Sequence, residues 1–243
     1  YGSMNGRLTV KKPPYGPEEL EQIRSFRITS AVESVTPAGC HLIKTKGKAD
    51  YRVVLWDFGA KENILRELTK RGCDVYDATA STTADEILAL DPDGIMLSNG
   101  PGNPEDNARV IEELKKLAVA KRPIFGICLG HQLLAFARGA NTGKMKYGHR
   151  GANQPVKDLE TGRIYISSQN HGYEVLRESL PAGAEETFIN VNDGTCEGIT
   201  YRDIPAFTVQ FHPEACAGPK DTEELFGRFI KMMEKYKEEA SCR

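Results

Sequence analysis

The sequence predicts an α/β protein with a mostly parallel central sheet flanked by helices and an antiparallel extension in the second half. Three observations carry that expectation. From Tyr51 to Gly139, short apolar runs of strand length alternate with stretches at helical spacing. Runs such as Gly94–Leu97 and Ile124–Ile127 are apolar throughout, so both faces of their sheet must be covered, as helices cover it in βαβ units. After Gly139 the helical rhythm stops. Residues 153–159, 163–168, 187–192, 198–202 and 206–211 alternate like strands, with turn signals at Thr161-Gly162 and Asp193-Gly194.

Taken in order, residues 1–49 read as a remnant and a connector, and residues 50–240 as one domain. Tyr1-Gly2-Ser3 ahead of Met4 reads as an appended scar, and Lys11–Pro17 is too rich in proline for regular structure. Pro17 then suits the first turn of a helix over Glu18–Phe26, with Leu20, Ile23 and Phe26 on one side. Ser30-Ala31-Val32-Glu33 has the form of a capping box and predicts a second short helix. His41–Thr45 could be a strand. Tyr51–Trp56, Cys73–Tyr76, Gly94–Leu97 and Ile124–Ile127 are the strands of the alternating region. Its helices run over Glu62–Arg71, from Thr83, through Val110–Leu117 and from Leu129 to a stop at Gly139. Glu223–Glu238 closes the chain as an amphipathic helix whose apolar stripe is core.

Composition narrows the function. The 243 residues are 40% hydrophobic and 27% charged, with a net charge of −2, so no general attraction to nucleic acid is written in. No apolar run approaches the ~18 residues of a membrane helix, and no secretory pattern opens the chain. The six cysteines are widely spread without a C-x-x-C or metal-finger spacing, and no metal spacing joins the five histidines. Reduced thiols in a cytoplasmic protein are expected.

Chemistry concentrates at three places. Gly126-Ile127-Cys128-Leu129-Gly130 lies between a strand and a helix and repeats the nucleophile-elbow pattern with sulfur in place of oxygen. Such a turn needs strained dihedrals and close backbone approach, which the glycines permit, and it leaves the thiol at a helix N-terminus where a thiolate is favoured. Alone, the pentapeptide reads equally as a core cysteine. Gln210-Phe211-His212-Pro213-Glu214 ends an apolar strand, and strand periodicity puts His212 and Glu214 on one side, so the carboxylate can orient the imidazole. The order Cys, His, Glu differs from the acid-before-histidine order of α/β-hydrolases. Ser98-Asn99-Gly100-Pro101-Gly102 lies at the carboxyl end of a strand. Gly100 could there supply one oxyanion N–H and Leu129 the other, although a plain Pro-Gly turn explains the same letters.

Together these pieces closely resemble the class I (triad) glutamine amidotransferases from about residue 50 to about 235. Within that family, Asp57–Lys61, Lys144–Gly151 and Gln169-Asn170-His171-Gly172-Tyr173 resemble the small, glutamine-hydrolysing subunits of carbamoyl phosphate synthetases. The resemblance implies Cys128 as nucleophile, His212 as general base and acid, and Glu214 as its orienter. It implies substrate contacts from Gly100, Gly102, Leu129, Gln132, Asn170, Gly172 and Tyr173, the last often Phe in the family. L-glutamine is the implied substrate and a carbamoyl phosphate synthetase large subunit the implied partner, with ATP and Mg expected only on that partner and no cofactor or metal on this chain. It also implies a further N-terminal domain that this stretch of sequence does not include. A piece that docks without turning over glutamine is therefore the alternative, as is service to another synthetase. Residues 7–49 resemble the segment joining the two domains. His131 and His171 have no derivable role and are expected to be hydrogen-bonded structural histidines. Lys144, Lys146, His149 and Arg150 form a basic loop that either faces the partner or is simply solvated.

Overall fold

The computed structural model describes residues 4–10 and 14–241, the side chains of 240 and 241 excepted. The expected scar at 1–3, the start of the proline-rich run at 11–13 and Cys242 lie outside the described residues. The elements, in chain order, are helix α1 (Pro17–Ser25), strands β1 (His41–Ile43) and β2 (Tyr51–Asp57), α2 (Glu62–Lys70), β3 (Cys73–Thr79), α3 (Ala84–Ala89), β4 (Gly94–Leu97), α4 (Ala108–Val119), β5 (Ile124–Ile127), α5 (Leu129–Ala137), β6 (Thr142–Asp158), β7 (Ile164–Val175), β8 (Ala184–Asn190), β9 (Cys196–Tyr201), β10 (Ala206–Val209) and α6 (Glu224–Ser241).

The ten strands among the described residues join one sheet in the order β1-β3-β2-β4-β5-β10-β9-β7-β6-β8. The pairs β3–β2, β2–β4, β4–β5 and β5–β10 are parallel. Beyond β10 every pair is antiparallel, and β8 bonds to both β6 and β9, so β9, β7, β6 and β8 close into a ring. Alternation along the buried strands sends residues to two cores. Val54, Trp56, Ile95 and Leu97 face one with Leu114, Leu117 and Leu133 from α4 and α5. Val53, Leu55, Met96 and Phe125 face the other with Leu68 of α2 and Phe226, Phe229 and Met233 of α6. Phe125 stacks on its register partner Phe207 at 4.4 Å and meets Phe226 edge-on at 5.6 Å, which ties β5, β10 and α6 together.

Two expectations need correction. Ser30–Glu33 is a turn, not a helix: Ser30 has φ 51°, which denies it the extended backbone of an N-cap, and Pro37 blocks continuation. The segment still matters, since Val32 is buried in the first core and β1 pairs antiparallel with β3 at the sheet edge. The basic run from Lys144 to Arg150 is not a loop. It lies within β6, where Lys144 opposes Tyr173, His149 opposes His171 and Arg150 opposes Asn170, with irregularities at 144–149 and 151–154. Glycines, lysines and two register shifts hide the strand's alternation from the sequence.

Candidate active site

Parallel order places four turns side by side. The chain leaves β2 at Asp57, β4 at Leu97, β5 at Ile127 and β10 at Val209, all at the carboxyl edge where open α/β sheets bind ligands. Cys128 stands at the third turn with φ 52° and ψ −101°, outside the regions a side chain ordinarily adopts, and its N–H bonds to the Val209 carbonyl at 2.8 Å. The glycines two residues on either side are sterically required. A Cβ on Gly130 would sit 2.5 Å from the Leu97 carbonyl oxygen, and one on Gly126 would sit 2.9 Å from the Thr208 methyl. Gly130→Ala therefore forces β4 and α5 apart and is expected to cost about 1–3 kcal/mol, read as a lower urea midpoint at unchanged slope.

His212 stands close enough to Cys128 to feel its charge, and its Nδ1 lies 2.7 Å from Glu214 Oε1. All three side chains are buried, at 5%, 3% and 1% exposure, so the chemistry of the group is set by its members and not by solvent. Burial disfavours a charged His212. The charge of Cys128, followed by the Glu214 carboxylate, outweighs that and raises it to about 9. Burial likewise opposes a charged Glu214, but His212 and then Lys61, whose Nζ is 3.2 Å away, hold its carboxyl below the usual carboxylate range. Lys61 stands in the Asp57–Lys61 turn, whose shape Asp57 fixes by accepting the Gly59 and Ala60 N–H groups at 2.6 Å each. In sequence this turn carries only a family resemblance; its charge contact with Glu214 arises because β2 and β10 end on one edge.

Gly100, Gly102, Gln132, Asn170, Gly172 and Tyr173 all line, with Cys128, a cavity of about 1450 Å³. No acceptor for the backbone N–H of Gly100 or Leu129 occurs among the described residues, and a Cβ on Gly100 would lie 2.5 Å from the Phe58 carbonyl oxygen. The Leu129 side chain itself is core. Gln132 Nε2 donates to the Tyr173 carbonyl at 2.9 Å and to Gln210 Oε1 at 2.8 Å, which joins α5 to β7 across the cavity floor. Residues from α1 and the turn after it, including Phe26 and Arg27, form the outer wall.

The histidines divide clearly. His131 is buried in α5 with Nδ1 2.8 Å from Thr208 Oγ1, and burial followed by the charge of His171 lowers it to about 3. His171 sits on the cavity wall. Its Nδ1 is 2.8 Å from the Tyr173 carbonyl and its Nε2 3.0 Å from Gln169 Oε1, and burial lowers it to about 4. His149, read from sequence as part of a basic surface, is buried. Nδ1 lies 3.1 Å from Glu197 Oε1 and Nε2 2.8 Å from Asp193 Oδ2; burial opposes its charge, but the two carboxylates raise it to about 9. His149, His171 and Glu197 bring ligand-type atoms within 4.8 Å of one another. Both nitrogens of both rings are already engaged by protein groups, so these atoms form a hydrogen-bonded cluster. Antiparallel pairing of β6 with β7 creates it, and spacing along the chain carries no trace of it.

A strained cysteine thus stands at a strand-to-helix turn, and a bonded histidine and carboxylate follow the neighbouring parallel strand. The profile of the class-I glutamine amidotransferases matches residues 54–232, and the chain belongs to that family. More particularly, it is 53% identical over 242 residues to the carbamoyl phosphate synthase small chain of Symbiobacterium thermophilum, covering 97% of this chain and 66% of that one. It is 50% identical over 240 residues to the protein of the same description from Bacillus cereus, covering 98% and 64%. The chain thus spans a little under two thirds of the length of these relatives. Among solved structures, a GMP synthase-type protein from Thermoplasma acidophilum superposes with a TM-score of 0.70 at 23% identity, over 79% of this chain and 98% of that one, a likeness of fold. No helix among the described residues is long and apolar enough to cross a membrane.

Proposed function

We propose that this chain hydrolyses L-glutamine to glutamate and ammonia, and that the ammonia passes to the large subunit of a carbamoyl phosphate synthetase. The observation that carries the reading is the buried His212 imidazole, held at 2.7 Å by Glu214 and raised by the charge of the strained, buried Cys128. The Cys128 thiolate attacks the side-chain amide carbon of glutamine, and the oxyanion is held by the N–H groups of Leu129 and Gly100, where one such donor is worth about 10²–10³ in rate. His212 gives its proton to the departing amine, releasing ammonia and leaving a thioester. It then takes a proton from water as that water adds to the thioester, and glutamate leaves. Glu214 keeps the imidazole oriented throughout, and Lys61 keeps Glu214 ionised. Asn170, Gly172 and Tyr173 hold the amino-acid end of the substrate, and Gln132 and Gly102 contact it. The chemistry calls for no metal or cofactor on this chain. Ammonia must travel shielded from water, since protonation would remove its lone pair.

A glutamine-analogue electrophile tests the assignment. One equivalent is expected to be incorporated per chain, on the peptide containing Cys128, with glutamine protecting. Burial pushes the Cys73 thiol up to about 12, so that cysteine should remain unlabelled. Labelling spread over several cysteines, or unaffected by glutamine, would remove the proposal. The partner is tested by measuring glutamine-dependent carbamoyl phosphate in a mixture of the chain with a candidate large subunit. Formation from free ammonia but not from glutamine would refute the transfer.

A further inference from the structure

Lys144 and Arg150, from the basic run on β6, line the cavity that holds Cys128. We infer that Arg150 binds the α-carboxylate of the glutamine substrate and so sets the preference for a free amino acid over a neutral amide; this rests on the glutaminase reading given above. Arg150 stands opposite Asn170 in the β6–β7 register and lines the same cavity as Cys128. Two glycines make room for it. A Cβ on Gly172 would meet the Arg150 guanidinium at 3.6 Å, and one on Gly148, where φ is +72°, would meet it at 2.7 Å and the His171 carbonyl oxygen at 2.2 Å. A side chain at position 148 would thus displace both the guanidinium and the strand it lies on. The guanidinium donates to the Tyr147 carbonyl, which fixes its direction. No carboxylate pairs with it among the described residues, and its field is felt at His171, whose charged form it disfavours.

The arginine is joined to the elbow through the site's own contacts. The path from Cys128 to Gln132, one turn along α5, and through its 2.9 Å bond to the Tyr173 carbonyl leads to Gly172 under the guanidinium. An arginine fork suits a planar carboxylate because two parallel N–H groups meet its two oxygens.

Binding of L-glutamine, and of the analogue with a neutral carboxamide in place of the α-carboxylate, would be measured by calorimetry on Cys128→Ala and Cys128→Ala/Arg150→Ala chains. The arginine's loss is expected to weaken glutamine about 10- to 100-fold and the carboxamide less than about threefold, with Arg150→Lys between. In the Cys128 background the same substitution should raise KM for glutamine by a similar factor with kcat within about threefold. Equal losses for both ligands, no loss for either, or no glutamine binding by Cys128→Ala would overturn the assignment. Because binding is read without turnover, a chain that binds glutamine through Arg150 yet releases no ammonia would refute the glutaminase reading and leave this one standing.

Discussion

Cys128→Ala is expected to reduce ammonia release from glutamine at least about 10⁴-fold, while the chain stays folded and still binds glutamine. The size follows from what is removed. Without the sulfur no thioester forms, and His212 is left to activate water directly against an unactivated amide; removal of a covalent nucleophile costs about 10⁴–10⁶ in comparable enzymes. Folding should be spared because alanine bears the same positive-φ strain as cysteine and the lost sulfur is a single buried atom. Only the chemistry separates the two chains. Continuous detection of ammonia gives the rate, and a urea titration gives the stability. A residual rate within tenfold of the unaltered chain would end the assignment of Cys128 as nucleophile. The same substitution also removes the group that holds His212 up near 9, so the imidazole should titrate lower in the variant, visible in its proton resonance.

How far the sequence could reach is clear from particular residues. Strands that are apolar throughout, such as Gly94–Leu97 and Ile124–Ile127, announce themselves because burial on both faces leaves no other composition. The elbow is legible for a related reason: its glycines are forced by contacts below 3 Å with Leu97 and Thr208, so the letters record the geometry. His212 and Glu214, two residues apart, needed only strand periodicity. Lys61 and His149 were not legible as partners of Glu214 and Glu197. Lys61 reaches Glu214 only because two strands far apart in sequence end on one sheet edge, a matter of topology. In β6, Lys144–Gly151 reads as a basic surface because bulges break the alternation that would have declared a strand, and with it the burial of His149. Pairing register is a long-range property that short windows do not contain.

His149→Ala is expected to destabilise the fold by about 3 kcal/mol at pH 6.5 and by much less at pH 9.5. The ring bridges Glu197, which is fully buried, and Asp193, which is half-exposed. Burial raises the Glu197 carboxyl, and it is the His149 cation, with Asn190 and Gln169, that works against this; Glu197 Oε2 has no hydrogen-bond partner among the described residues. Deleting the cation leaves an uncompensated buried carboxylate, which typically costs about 3–5 kcal/mol, and the half-exposed position of Asp193 puts the expectation at the lower end. The pH dependence follows from the sign of the shift. His149 is raised in the folded chain from 6.5 to about 9, so its contribution is fully present below pH 6.5 and is lost as pH rises through 9. At pH 9.5 the ring is neutral in the unaltered chain as well, so neither chain offers Glu197 a cation, and the difference shrinks. Adding Glu197→Leu to His149→Ala should recover much of the loss, because the charge that needed a partner is gone. Urea unfolding of the unaltered chain, the single variant and the double variant at both pH values decides the matter. A single-variant loss under about 1 kcal/mol, or one equal at the two pH values, would mean that His149 fills space in the β6–β9 ring without acting as its buried cation.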